Sequence, residues 1–491
     1  MIHVVDDASI RTAGNRFARA LDAAGVAVRG KVAVISGNVP ELLAAYRGTQ
    51  WSGRRFTPMS TRWSADDVAY VVENCEADVL VADARHAELV AAAAPRIDPE
   101  RRFAFRGAIP GFRPWSDVEA FPGDPLPHPV AGNHMMYTSG TTGRPKGVLR
   151  PGVEGPPPGR LGQAGMEMLQ WCLGAEANGP HLVCTPLYHA APITYADGAA
   201  LLGAPLVLLE HFEPETVLRI IEQHRIASTF MVPTQFVRLL RLPEPVRAQY
   251  DVSSLRLVVH GAAPVAPEIK RAMIDWFGPV LFEFYGGTEG GGLMITSEEW
   301  LAHPGAVGRP RNDLVVDILD DAGGPVPTGT PGQVWFGGYT KFAYKDDPEK
   351  TEETWSGDRF TLGDIGYLDD DGYLYLCDRR ADVIISGGVN IYPAQIEAVL
   401  LTHPQVADCC VVGVPDDEWG ESVRAVVQST ADATPDDALA DALVAHCRDG
   451  LAAYQVPRAV DFDPALPRTE TGKLGRRVIR ERYWQGRTRN I

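Results

Sequence analysis

The chain has 491 residues, with 46 Lys and Arg against 63 Asp and Glu, a formal charge of −17, and 45% hydrophobic and 22% charged residues. This composition excludes a fibrous or disordered chain, and the length exceeds what one core fills, so two or three domains are expected. The acidic balance argues against nucleic acid or an anionic membrane as the main partner, because both would repel the chain at long range; a small ligand is expected instead.

The first residues, MIHVVDDASIRTAG, lack the basic start and apolar stretch of a secretory signal, and the longest uncharged runs that follow, such as residues 177–196, are interrupted by Pro, Gly, His and Thr rather than continuously apolar. A cytoplasmic protein without an integral membrane span is therefore expected. Seven cysteines, an odd number without CxxC or zinc spacing, read as small reduced core residues.

Short β-branched runs alternate with helical patterns along most of the chain: KVAVISG, ADVLVAD, PLVLLE, STFMVP, LRLVVHG and VLFEFYG. Such alternation predicts α/β layers with buried strands. After Glu213-Pro214, Val217, Ile220 and Ile221 fall at helical spacing and predict a helix that feeds the STFMV strand. Residues 151–165 hold four Pro and five Gly and predict neither helix nor central strand. Beyond about Gly305 the apolar runs shorten and Gly, Pro, Asp and Thr become frequent, which predicts β-rich hairpins, with Asp371-Gly372 as a turn. From about Asp382 onward, strand, helix, strand and helix recur as a separate small α+β domain. The expected division is 1–379, with its β-rich part at about 305–379, and 380–491. The last 24 residues carry eight Lys or Arg against two Glu, readable as a solvated face or as an anion site.

The strongest chemical signal is YTSGTTGRPKGV, residues 137–148. Hydroxyls at Thr138, Ser139, Thr141 and Thr142, glycines at 140, 143 and 147, and the cation of Lys146 make a cradle of donors suited to a polyphosphate. The Walker pattern is excluded, because Gly147 rather than Ser or Thr follows the lysine.

That loop resembles the phosphate-binding signature of the adenylate-forming superfamily, in its acyl-CoA synthetase branch. The resemblance continues in order over nearly the whole chain: Tyr285-Gly286-Gly287-Thr288-Glu289, Gly363-Asp364, Asp378-Arg379 with ISGGVNIYPAQIE, and PRTETGKLGRR. It implies a large multilayer α/β domain with two sheets and a β-rich subdomain, followed by a small mobile domain.

The resemblance also implies roles. Thr138, Ser139, Gly140, Thr141, Thr142, Gly143 and Lys146 would cradle the phosphates of ATP; Tyr285, Gly286 and Gly287 would also bind the nucleotide, and Thr288 would contact the α-phosphate; Glu289 and Thr141 would hold Mg²⁺. Gly261, Ala262 and Ala263 would lie along the adenine, small residues leaving room for a flat ring. Asp364 would receive the ribose hydroxyls, and Arg379 the ribose or phosphate oxygens. Lys473 would meet the charge developing at the α-phosphate. Ser386, Gly387 and Gly388 would face the CoA channel, with the pivot at Ala381, where relatives often carry a charged residue. His189 would stand at the acyl pocket, as wall or as gate.

Implied activity is that of an acyl-CoA ligase using ATP-Mg²⁺, a carboxylic acid and CoA, and releasing AMP. Small residues in HAAPI, HGAAP and YGGTEGGG suggest a broad cavity, and the chain resembles synthetases for bulky steroid or terpenoid acids. Ala381 at the pivot, Leu362 in place of the usual threonine before Gly-Asp and the Pro/Gly-rich insertion after the phosphate loop together leave open a protein that takes a preformed acyl-adenylate; a carrier protein competes with CoA as acceptor. A binding protein without turnover has no need of Lys473. The sequence sets no oligomeric state, though a dimer is compatible with it.

Overall fold

In the computed structural model, residues 1–138, 144–151, 155–174, 177–311, 314–468 and 474–485 are described. Two sheets form the large α/β part. One is six-stranded and wholly parallel, with Lys31–Ile35 between Arg55–Met59 and Val79–Asp83. The other has seven strands, and its parallel centre runs Leu206–Leu209, His181–Val183, Ser228–Met231, Leu257–Gly261, Leu281–Gly287. Every β-branched run singled out in the sequence is a strand of one of these sheets. Their runs read as continuous apolar segments because helices cover both faces of a parallel sheet.

The strand His181–Val183 has its two chain-successive partners on opposite sides. Strand order reverses there, and ligands of open α/β sheets sit beyond the carboxyl ends at such a point. The Pro214–His224 helix forms as expected: Glu213 accepts from the Glu215 and Thr216 amides, Pro214 occupies the first turn, and Val217, Leu218, Ile220 and Ile221 are buried.

One expectation fails. Residues 160–165 of the Gly/Pro-rich stretch are the start of the helix Arg160–Leu173. The glycines there serve helix packing: a Cβ at Gly165 would stand 2.0 Å from the Thr194 carbonyl oxygen, and one at Gly198 would stand 2.3 Å from the Gly165 carbonyl carbon. The helix therefore lies in close contact with Ala190–Leu201. A count of glycines cannot separate a loop from a tight helix crossing.

Beyond residue 305, seven strands form a β-rich sheet, including the hairpin of Asp364–Leu368 and Leu374–Arg379 with Gly372 at φ +78° in its turn. The last sheet is built from Ile384–Ser386, Val389–Ile391, Val406–Asp416, Gly420–Ser429 and Ala459–Phe462. With helices Pro393–Leu401 and Asp437–Gly450 it buries its own apolar core, among it Ile384, Ile396, Leu400, Val411, Leu443 and Cys447. All seven cysteines are free; six are buried and Cys172 is half-buried. Among the described residues no helix is long and apolar enough to cross a membrane.

Candidate active site

The phosphate-cradle sequence folds as a hairpin: Met136–Thr138 pairs antiparallel with Lys146–Leu149, Tyr137 opposite Gly147 and Thr138 opposite Lys146. A Cβ at Gly147 would stand 3.0 Å from the Tyr137 ring, a tight approach across the pair. Ser139, Gly140, Thr141, Thr142 and Gly143 lie outside the described residues, as does Lys473. On its other edge the hairpin takes Ala343–Tyr344 as a third strand. That brings Asp347 to Lys146, with Nζ 2.7 Å from Oδ2.

Thr288 and Glu289 form the two-residue tip between Leu281–Gly287 and Gly290–Ile295, where Gly287 faces Gly290. Gly290, Gly291 and Gly292 all have φ between +89° and +146°, which admits glycine but strains other residues. Arg150 donates through Nη2 to the carbonyls of both Thr288, at 3.2 Å, and Glu289. Tyr344 donates its hydroxyl to Glu289 Oε1 at 2.8 Å. The strand next to the phosphate hairpin therefore holds the tip carboxylate as well. Leu362, the departure from the usual threonine, packs here: a Cβ at Gly287 would stand 2.9 Å from its Cδ2 and 2.8 Å from Glu289 Oε2.

Asp364 is buried, with its Oδ2 accepting from the Tyr285 hydroxyl at 2.7 Å and its Oδ1 3.4 Å from Arg379 Nε. Asp364 and Arg379 are cross-strand neighbours, so the pairing follows from hairpin register. Burial, and then the Asp364 charge, push the Tyr285 hydroxyl well above its ordinary pKa, so it stays a proton donor.

Gly261 ends the Leu257–Gly261 strand. A Cβ on Gly261 would stand 2.3 Å from the Phe284 carbonyl oxygen, so its missing side chain makes room for the neighbouring strand. Ala262 is exposed at φ +70°, a left-handed conformation costly for a residue with a Cβ; Ala263 is half-buried. His189 caps the helix Ala190–Leu201 by backbone position only, its ring against Tyr188. The loop preceding it is fixed by buried Asn38, whose Nδ2 donates to the Thr185 and Leu209 carbonyls and whose Oδ1 accepts from the Leu187 amide.

Ser386, Gly387 and Gly388 cap the hairpin of Ile384–Ser386 with Val389–Ile391, the two glycines at φ +58° and +81°. The Gly387 amide donates to the Trp419 carbonyl at 2.8 Å, tying the tip to its own sheet. Ala381 is exposed.

The structure thus groups Lys146, Thr288 and Glu289 around residues 343–347 and Arg150, and Tyr285, Asp364 and Arg379 around one another. Sequence reasoning missed those neighbours: Arg150, Tyr344, Asp347 and Asn38 carry no motif of their own. It also missed the buried pair Lys270 Nζ to Glu283 Oε2 at 2.6 Å, beneath the two strands that carry the candidate adenine and tip segments. At the basic end of the chain, Arg468 pairs with Asp408, Arg476 with Glu397, Arg477 with Glu481 and Arg482 with Asp463, and Arg477 and Arg482 are exposed, as on a solvated face.

The two mainly parallel sheets, the β-rich part and the small C-terminal sheet-and-helix unit define a mixed α/β fold. The chain matches the AMP-binding enzyme family over residues 8–343 and its C-terminal domain over residues 395–473, and it belongs to that family. It is 31% identical over 506 residues to the medium/long-chain-fatty-acid–CoA ligase FadD8 of Mycobacterium tuberculosis, covering 97% of this chain and 85% of that one. It is 34% identical over 476 residues to a feruloyl-CoA synthase of Amycolatopsis, covering 95% and 92%. Its fold superposes on the amide bond synthetase McbA of Marinactinospora thermotolerans with a TM-score of 0.83 and 29% identity, over 96% and 94% of the two chains.

Proposed function

We propose that this protein is an AMP-forming acid–thiol ligase. A carboxylate oxygen attacks the α-phosphorus of ATP, the bond to the bridging oxygen breaks, and pyrophosphate leaves. The thiolate of CoA then attacks the acyl carbonyl, the carbon–oxygen bond to AMP breaks, and the thioester forms. The observation that carries this reading is the linkage of the phosphate hairpin and the Thr288-Glu289 tip through one short segment, residues 343–347.

In this reading Lys146 and the hydroxyls of 138–142 bind the phosphates, and Lys146 leaves Asp347 to do so. Asp364, held by Tyr285 and Arg379, receives the ribose. Gly261, Ala262 and Ala263 flank the adenine, and Ser386, Gly387 and Gly388 approach the pantetheine side. Glu289 fits Mg²⁺: a single hard carboxylate suffices for an ion held chiefly by phosphate oxygens and water, and Mg²⁺ bound there would supply neutralisation of charge on the phosphates. Lys473 donates toward the α-phosphate, which typically contributes about 10²–10³ in rate. His189 forms part of the acyl wall. The small lobe, residues 380–491, pivots near Ala381 to exchange Lys473 for the 386–388 tip.

The acid is proposed to be apolar, fatty or aryl, in keeping with the names of the relatives; a polycyclic acid is the broader alternative that the small residues of the walls suggest. The test is ATP–pyrophosphate exchange and CoA-thioester formation with octanoic, palmitic, ferulic, benzoic and cholic acids. Exchange and thioester with at least one acid are expected. Thioester formed from synthetic acyl-AMP, with no exchange on any acid, would replace the proposal by a protein that accepts preformed adenylates. Absence of both would end it.

A further inference from the structure

Near the basic end of the chain one residue, Arg476, gathers several acidic partners; it opens the helix Arg476–Tyr483. Its Nη2 lies 2.7 Å from both carboxylate oxygens of Glu397, and its Nη1 lies 3.2 Å from Asp378 Oδ1 and 3.2 Å from Asp382 Oδ2. One turn later Arg480 Nη1 donates to the Ala381 carbonyl at 2.8 Å. The segment grasped by this helix is therefore 378–382, the proposed pivot.

These contacts divide by chain position. Asp382 and Glu397 follow the pivot and belong to the same sheet-and-helix unit as Arg476. Asp378 precedes it, at the end of the Leu374–Arg379 strand, yet it accepts from Arg476 and also from the Ala394 amide at 2.8 Å. Rotation about Ala381 must break the two Asp378 contacts and can spare those to Asp382 and Glu397. Three carboxylates share one guanidinium, so the cluster has a formal excess of negative charge. Losing Asp378 costs a hydrogen-bonded charge pair but relieves repulsion from the other two. Opposed contributions of this kind leave an element able to occupy two arrangements.

The same helix begins three residues after Lys473 in the chain. The base of its loop is closed, with Leu474 bridging Arg468 and the Gly475 amide donating to the Pro467 carbonyl at 2.7 Å.

We infer that Arg476 and Arg480 latch the pivot to the helix that follows Lys473, through Asp378 and the Ala381 carbonyl, and so act as positioning residues that favour acyl-adenylate formation over thioester formation. This rests on the reading of Lys473 and Ala381 given above. Burial pushes the Asp378 carboxyl up to about 6 while Arg476 pulls it down, as befits a charge held at some cost.

The test uses the full-length protein and the variants Asp378→Asn, Arg480→Ala and Arg476→Gln, with Glu397→Gln as a contact that does not cross the pivot. An amide at 378 has one acceptor oxygen where the carboxylate uses two. Hydrogen exchange of amides 379–396 reads the latch without any substrate. Pyrophosphate exchange, and thioester formation from synthetic octanoyl- or feruloyl-AMP with CoA, read the two half-reactions.

Asp378→Asn and Arg480→Ala should speed exchange in that segment by roughly tenfold, and should slow adenylate formation by roughly tenfold while changing thioester formation less than about threefold. Unchanged exchange in both variants would overturn the latch. An equal fall in the two half-reactions, as an effect on folding alone would give, would overturn the positioning role. If Arg476→Gln does not fold, the other two variants decide. If the unmodified protein shows neither half-reaction, the proposed function fails, and the exchange measurement still decides the latch.

Discussion

Tyr285 and Asp364 meet across two sheets, hydroxyl to carboxylate at 2.7 Å, although 79 residues separate them in the chain. One comes from a parallel-sheet strand and the other from a β-rich hairpin, so the bond ties those two units together. Asp364 is left with little freedom and its second oxygen turned toward Arg379. Tyr285→Phe removes one partner of a buried carboxylate, which typically costs about 1–3 kcal/mol. We expect a lower melting temperature and a KM for ATP raised roughly tenfold, with kcat changed less. An unchanged KM for ATP would dissociate Asp364 from the nucleotide.

Lys473→Ala should lower pyrophosphate exchange by about 10² to 10³ and largely spare thioester formation from a synthetic adenylate. Equal loss of both steps with the fold intact would contradict the role given to this lysine.

Tyr344→Phe releases Glu289 Oε1 from the hydroxyl that holds it, without altering the strand that pairs with the phosphate hairpin. A less constrained carboxylate should raise the Mg²⁺ concentration for half-maximal pyrophosphate exchange about three- to tenfold. A Mg²⁺ titration unchanged from that of the unmodified protein would remove Glu289 from the metal's neighbourhood.

Gly165→Ala inserts a methyl where the Thr194 carbonyl already stands. Overpacking of this kind costs about 1–3 kcal/mol or more. The expected result is a lower denaturation midpoint, whereas the same change at Gly174, where a Cβ meets nothing within 4 Å but φ is +56°, tests conformation alone.

Acid sensitivity should begin near pH 6.5. Burial pulls His181 down to about 4 and His134 down to about 3, so both stay neutral in the folded chain while the unfolded chain takes up protons below about 6.5. Stability from this source is present above pH 6.5 and falls as the pH drops toward 4, by about 2 kcal/mol per histidine at about pH 5. Denaturant melts between pH 5 and 8 check the sign; His134→Gln should flatten part of the slope.

The strands, the order of the motifs and the chemistry they imply were all legible along the chain. Local signals suffice for these: β-branched runs make buried strands, Glu213-Pro214 starts a helix, and a Gly-Ser-Thr string with a lysine specifies a donor-rich loop whatever surrounds it. Packing was needed to say which side chains hold the motifs in place. Arg150, Tyr344 and Asp347 look like any surface residues until the small sheet lays Ala343–Tyr344 beside Lys146–Leu149. Gly165 and Gly261 read as freedom or open space, yet each is filled by a neighbouring carbonyl, because contact across elements depends on how they pack and not on spacing along the chain. Arg476 is one of eight basic residues near the end of the chain, and only the fold sets it among three carboxylates at the pivot.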